Sequence, residues 1–566
     1  MTWAAKRTIV ILVVVAFFAL IIFAVAWRPR RLAGISYNSV LVIDASGTID
    51  EQKPPDLFGG LTGASTLVLH DYVDAIDSAR YDSHVTGIVV RIGPLDTGWA
   101  KLEEIRTHLI AFQSSGKPSI CYLGYDGIGN PEYYLASACK EVWLVPTAQV
   151  SVTGMIAEAL FLRGTLDKLK IVPEFYHIAE YKTAENELTE KKFTPPHREE
   201  VESVLRSVYD QYLTDASQAR HIARAKFEQE VTSGPLLTNE AVQGGLVDRA
   251  AYWDEVQDYF KDRYRGWNPI SLARYQPFVS YSTGPKIAVV YATGMIVSGD
   301  SGNSPTNGVL MGGDTVAAAI RSARTDSSIR AIVLRIDSGG GSVVASEVIR
   351  RESELAREQK PLVVSMSDTA ASGGYWIAAP ATKIVAEPDT ITGSIGVLIG
   401  KLNLSGLYSL LGLSTDYVAT SDNATLFSDQ QNFTPQQEAY IQKSLQDTYA
   451  QFTRGVAQGR GLAVDAVDKI GKGRIWTGAQ AKNLGLVDQL GGLDTAVGVA
   501  KDLAHISSGQ SVEIVRLPEE KSIFQQLFER EQDELNQSQS LAATLRRLVG
   551  VMEPVQARMP YELRIH

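Results

Sequence analysis

The 566-residue chain has only two cysteines, Cys121 and Cys139, so neither a disulfide framework nor a thiolate metal cluster can be built; one bridge between them stays open. It also has no basic excess. With 54 lysines and arginines against 64 aspartates and glutamates the net charge is -10, which argues against a nucleic-acid binder that neutralises many phosphates. Histidine is scarce as well: of the eight, none lies between His221 and His505, so that stretch has no imidazole base of its own. Charge is missing altogether from Ile9 to Trp27, between Lys6-Arg7 and Arg28-Pro-Arg-Arg31. Residues 9–27 are therefore expected to form a transmembrane anchor. A secretory signal is the rival, since Ala24-Val-Ala26 has the small-residue spacing of a cleavage site. Basic residues at both ends leave the orientation open.

What is present is enough apolar residue, 45%, to fill two cores or more. The chain also repeats itself at a period near 240, too long for a solenoid and suited to two copies of one domain. Val40-Leu-Val-Ile-Asp-Ala-Ser-Gly-Thr-Ile49 resembles Ile287-Ala-Val-Val-Tyr-Ala-Thr-Gly-Met-Ile296, and Gly87-Ile-Val-Val-Arg-Ile92 resembles Ala331-Ile-Val-Leu-Arg-Ile336. Tyr133 falls on Tyr375, Pro146 on Pro388, Gly154 on Gly396, and Gly245-Leu-Val-Asp248 on Gly485-Leu-Val-Asp488. Apolar strand runs alternating with helical periodicity predict an α/β fold: tandem βαβ domains over 38–283 and 284–500, each with a mostly parallel sheet covered by helices. Two polar, leucine-dotted stretches, Asn186 to Gln229 and Asn432 to Arg460, read as long amphipathic helices outside the sheets. The tail, 501–566, reads as a helical extension.

The chemistry points to Asp368-Thr-Ala-Ala-Ser-Gly-Gly-Tyr-Trp-Ile-Ala-Ala-Pro380. An apolar strand runs into it and a small-residue helix leaves it, so Ser372 sits at a strand-to-helix corner where a nucleophile can stand. The Gly373 amide, at a helix start, is a candidate oxyanion donor; the plain alternative is a serine helix cap. In the first copy Asn130 stands under Ser372 and Pro131 under Gly373, so both the nucleophile and the donor are gone there. Asp337-Ser-Gly-Gly-Gly-Ser342 follows a strand and allows close backbone approach, but lacks the lysine of a phosphate loop. With no local histidine, the base is a lysine neutralised by burial or a histidine from the first copy. The candidates are Lys182, whose counterpart in the second copy is Asp422, and His177. Each copy keeps what the other has lost, as a single site assembled from both halves requires.

Together these motifs resemble the long, double-domain form of the signal peptide peptidase A family, in the fold group of the Clp protease and crotonase. The resemblance implies tandem ClpP/crotonase-like domains and a serine endopeptidase acting through an acyl-enzyme on released signal peptides and other apolar peptides. It implies Ser372 as nucleophile and, from Tyr181-Lys-Thr-Ala184, Lys182 as general base. From Thr392-Gly-Ser-Ile-Gly396 it implies Ser394 as the residue orienting the lysine, with the Gly340 and Gly373 amides as the oxyanion hole. Asp337 and Gly339 depart from the asparagine and proline of the family's loop. No metal or organic cofactor is implied. The implied partners are peptide substrates, membrane lipid around the N-terminal helix and three further copies in a homotetramer; nucleic acid is not among them. The implied location is a bacterial inner membrane with the catalytic body outside the cytoplasm. A catalytically silent membrane scaffold and a crotonase-like acyl-CoA enzyme are the competing readings.

Overall fold

Strands that are apolar on both faces need cover on both, and the chain supplies it twice. The computed structural model describes residues 34–53, 67–264, 266–279, 283–304 and 308–518, with the short strands Val555–Arg558 and Arg564–Ile565. In the first half a six-stranded parallel sheet runs in the order Asn268–Ser271, Ser39–Gly47, Val85–Leu95, Ser119–Leu123, Glu141–Leu144, Arg249–Ala250. Leu41, Ile43, Ile88 and Val90 pack on one face, and Val40, Val89, Ile120 and Trp143 on the other. In the second half Lys286–Thr293, Ile329–Ser338, Leu362–Ala371 and Lys383–Ala386 lie side by side in parallel. Ile475–Thr477 is an antiparallel edge beyond Ile391–Gly393.

The halves also match in their fixing bonds. Tyr133 Oη donates to the Leu246 carbonyl at 3.0 Å, and Tyr375 Oη to that of Leu486 at 2.8 Å. Asp248 accepts the Val142 amide and pairs with Arg220; Asp488 accepts the Ile384 amide and pairs with Arg460. Cys121 and Cys139 form a disulfide, tying the strand Ser119–Leu123 to the turn after the helix Asn130–Ala136.

A third sheet joins the halves. Its order is Gly302–Ser304, Gly308–Gly312, Met295–Val297, Gly340–Ser342, Val555–Arg558, Leu398–Asn403, Val172–His177. The last strand comes from the first half and runs antiparallel to Leu398–Asn403, with His177 opposite Leu398 and Val172 opposite Asn403.

Three expectations meet different outcomes. Pro195–Ala219 and Pro435–Arg460 are long helices, each with proline in its first turn and one buried stripe. Beyond Leu493–Leu503, the described tail is strand instead of helix: Glu513–Leu517 pairs in parallel with Lys286–Thr293. Its β-branched pair, Ile514-Val515, suits that edge. The membrane-anchored reading is corrected. No helix among the described residues is long and apolar enough to cross a membrane, and the two longest carry charge along their outer faces. Residues 9–27 lie outside the described residues. The N-terminal transmembrane helix, the lipid partner and the inner-membrane location therefore have no support in the fold.

Candidate active site

The strand Leu362–Ala371 stops one residue short of the helix Gly373–Ala378, and the corner between them is Ser372. Its φ of 54° is left-handed, a conformation costing a residue with a side chain about 1–3 kcal/mol. Two bonds hold it there. The Ser372 amide donates to the Gly393 carbonyl at 2.8 Å, and its carbonyl accepts the Trp376 amide at 2.8 Å. Gly374 keeps the corner tight, since a Cβ there would meet the Ser338 carbonyl at 2.6 Å.

Lys182 arrives from the other half, in the loop after Val172–His177. The Ile178 amide donates to the Val397 carbonyl and the Tyr181 amide to that of Lys472, so this loop is docked by its main chain. Lys182 Nζ lies 2.8 Å from Ser372 Oγ, 3.0 Å from Ser394 Oγ and 3.5 Å from the Ser394 carbonyl. All three side chains are fully buried. Burial lowers the Lys182 pKa to about 7, against the pull of Glu185 and Glu200 in the other direction. The amine is thus neutral in much of the protein near neutral pH, and its lone pair can take the serine proton. Both residues belong to one chain.

His177 is not brought to the serine. Its Nδ1 lies 2.7 Å from the Ala179 carbonyl, and its Nε2 lies 3.3 Å from Glu185. Ser394 also has a positive φ, 48°, and its amide donates to the Arg474 carbonyl at 2.7 Å. In the first half Asn130 occupies the serine's place, and its Nδ2 donates to the Gly154 carbonyl at 2.7 Å. Ser372 Oγ lies 3.5 Å from the carbonyl of Gly396, the residue matching Gly154.

Gly373 opens its helix, where amides have no acceptor within the helix. Gly340, at φ 100°, has its amide turned to Ser338 Oγ at 3.1 Å, so that donor is engaged inside its own loop. Asp337 does not face the serine. It pairs with Lys101 of the first half at 2.7 Å and accepts the Thr369 amide, while Asp368 pairs with the same lysine at 3.0 Å. Burial alone would lower the Lys101 pKa; Asp337 and Asp368 outweigh it and raise the pKa above the ordinary lysine value.

Sequence reasoning passed over Glu200. It accepts from Thr183 Oγ1 at 2.6 Å and from the Ile475 amide at 3.3 Å, bracing the residue after Lys182. Burial raises its pKa to about 8. The available signal was its place on the buried stripe of the helix Pro195–Ala219, beside His197, Val201 and Val204.

A buried serine within hydrogen-bond reach of a buried amine of lowered pKa is an arrangement that can support nucleophilic catalysis, the chemistry of the serine hydrolases. Residues 111–264 and 354–507 match the model of Peptidase family S49. The chain belongs to that family and is a serine protease. It is 32% identical over 507 residues to the chloroplastic serine protease SPPA of Arabidopsis thaliana, covering 88% of this chain and 73% of that one. To Protease 4 of Salmonella typhi it is 36% identical over 498 residues, covering 83% and 79%. A Listeria monocytogenes ClpP1 mutant is similar at 14% identity over 37% of this chain and 94% of its own, with a TM-score of 0.25, too low to carry a fold argument.

Proposed function

We propose that the chain is an endopeptidase in which Ser372 is the nucleophile and Lys182 the general base, with 38–283 and 284–500 as two Clp/crotonase-like units that each supply half of the dyad. The observation that carries this reading is the 2.8 Å contact between Nζ and Oγ of two fully buried side chains. Ser372 Oγ attacks the scissile carbonyl carbon as its proton passes to Lys182 Nζ. Ser394 keeps Nζ aimed by a hydroxyl contact and a longer carbonyl contact. The carbonyl oxygen, now negative, takes the Gly373 amide, and the Gly340 amide joins it by exchanging Ser338 Oγ for the oxyanion. The tetrahedral species collapses, the C–N bond breaks, and the Lys182 ammonium returns its proton to the leaving amine. Water then attacks the ester carbonyl while giving a proton to Lys182. The Ser372–acyl bond breaks, the serine regains its proton, and the acid product leaves.

Extended apolar peptides are the substrate class, favoured by Val344 and Val348, which stand exposed on the helix Val343–Arg357 just after the glycine loop. The deciding experiment is labelling with a fluorophosphonate probe alongside turnover of an apolar peptide. Wild-type protein should label and cleave. Ser372→Ala should do neither, and Lys182→Met should lose at least about 1,000-fold in kcat/KM. A silent scaffold would leave the wild-type serine unlabelled, and retained turnover in Ser372→Ala would overturn the assignment.

A further inference from the structure

The strand before the glycine loop and the strand before the serine fall out of step where they run side by side. Ile336 lies opposite Met366, but Ser338 lies opposite Ala370, so Asp337 on one strand stands against Ser367, Asp368 and Thr369 on the other. A bulge of this kind leaves main-chain groups without ladder partners and re-aims side chains. Here side chains span it instead. Asp337 Oδ1 accepts the Thr369 amide at 3.1 Å, and Lys101 Nζ, from the first half, reaches Asp337 Oδ2 at 2.7 Å and Asp368 Oδ2 at 3.0 Å.

The lysine is itself fixed across the junction. It lies in the first turn of Trp99–Gln113, whose N-cap is Gly98, a residue with no side chain to cap the helix. Asp368 supplies the cap from the other half, its Oδ1 accepting the Lys101 amide at 3.0 Å. Gly98 lets the chains meet, since a Cβ there would stand 2.1 Å from the Asp368 carboxyl carbon. Beyond the two carboxylates lie the candidate oxyanion donors. Asp337 opens the loop in which Ser338 Oγ donates to the Gly294 carbonyl at 2.6 Å and accepts the Gly340 amide at 3.1 Å. Asp368 sits on the strand that ends at the Ser372 corner, with Gly373 next.

We infer that Lys101 is a positioning residue for the oxyanion hole: one cation from the first half, holding Asp337 and Asp368 together across the bulge, sets the Gly340 loop against the Ser372 corner. The inference rests on the peptidase reading for what the loop does, not for what the lysine holds. Oxyanion donors must point to where charge develops, so a shift of about an ångström between them is felt in the chemical step and little in peptide binding.

The test uses the full chain with Lys101→Met and with the neutral triple variant Lys101→Met/Asp337→Asn/Asp368→Asn. The single variant leaves two largely buried carboxylates without their cation and should lose stability as well as activity. The triple variant keeps both amide acceptors and strands no charge, so its urea midpoint should return towards the wild-type value. Its kcat for an apolar peptide should nevertheless stay down about 100-fold, with KM changed less than about 3-fold. A peptide aldehyde, whose oxygen becomes negative when Ser372 Oγ adds to its carbon and the serine proton passes to Lys182, should bind the triple variant more weakly by the same factor. Hydrogen exchange over residues 337–342 should quicken about 10-fold in the triple variant, with the strand Lys286–Thr293 unchanged. Recovery of kcat and aldehyde affinity together with the urea midpoint would make the lysine a charge partner alone and overturn the inference, as would unchanged exchange in the loop. Quickened loop exchange, in a protein whose wild-type form neither cleaves peptide nor binds the aldehyde, overturns the peptidase reading and leaves the lysine's hold on the loop standing. If neither variant folds, Asp368→Asn, which keeps Lys101 paired with Asp337, decides: a kcat about 10-fold down supports the inference and an unchanged kcat overturns it.

Discussion

Burying the amine of Lys182 lowers its hold on a proton, as the proposed role of general base requires at working pH. The group must be neutral to accept the serine proton, so kcat/KM should rise tenfold per pH unit on the acid side and level off above about 7. A pH–rate profile with a neutral peptide checks this; a flat profile from pH 5 to 8 would contradict it. In the proposed mechanism Ser394 acts through the lysine, which it contacts at 3.0 Å. Ser394→Ala should cost roughly 10- to 100-fold, mostly in kcat, because a base misplaced by about an ångström loses that much. Ser394→Thr should recover part of the loss, and a KM effect alone would count against an orienting role. Ser372 and Lys182 were legible as a pair because each occupies a position its sister copy has vacated. The engagement of Gly340 by Ser338 was not, since a hydroxyl's choice of partner depends on rotamers that no spacing encodes.

The lysine reaches the serine because two backbones touch. Gly473, at φ 84°, has the Lys182 main chain where its Cβ would be, with the amide nitrogen at 2.4 Å and Cα at 2.5 Å. Backbone cannot swing aside as a side-chain tip can. Gly473→Ala should therefore cost more than about 3 kcal/mol in urea unfolding, and fluorophosphonate labelling should fall with it. Gly461→Ala is the control: it shares the left-handed backbone, at φ 66°, but has nothing within 4 Å of the new Cβ. Its cost should be about 1 kcal/mol with labelling intact. Equal losses at the two positions would mean that strain alone, and not displacement of Lys182, explains the first. Parallel strands and long helices were readable from their periodicities. The pairing of Val172–His177 with Leu398–Asn403 was hidden, because an inter-half register follows from how the halves dock.

That docking buries a helix whose sequence looks solvated. In Trp99–Gln113, Lys101, Glu103, Glu104, Arg106 and His108 are all buried, because the helix lies between the halves. On one side Arg335 joins Glu51 at 2.7 Å and Glu104 at 2.8 Å, so charges from both halves compensate one another. On the other, Glu103 approaches Glu387 and Asp389, with Asp215 close enough to add repulsion, and burial with like charge raises all three pKa values. Among the described residues, neither Asp389 oxygen nor Glu103 Oε2 has a hydrogen-bond partner. Glu387 is raised to about 8, while an unfolded carboxyl titrates near 4.5. Between those values the folded chain holds protons that the unfolded chain releases, so this stability is complete below about 4.5 and is lost as pH rises through about 8. His108, raised to about 9, acts in the same direction, whereas Lys182 opposes it above 7. The urea midpoint should consequently fall between pH 6 and pH 9. Glu103→Gln should flatten that fall, stabilising the protein at pH 8.5 and changing little at pH 5, since at the lower pH the native carboxyl is already neutral. The slope removed is at most about 1.4 kcal/mol per pH unit for one group. Parallel curves for the two proteins would instead mean that Glu103 is ionised in the folded state and compensated at the junction.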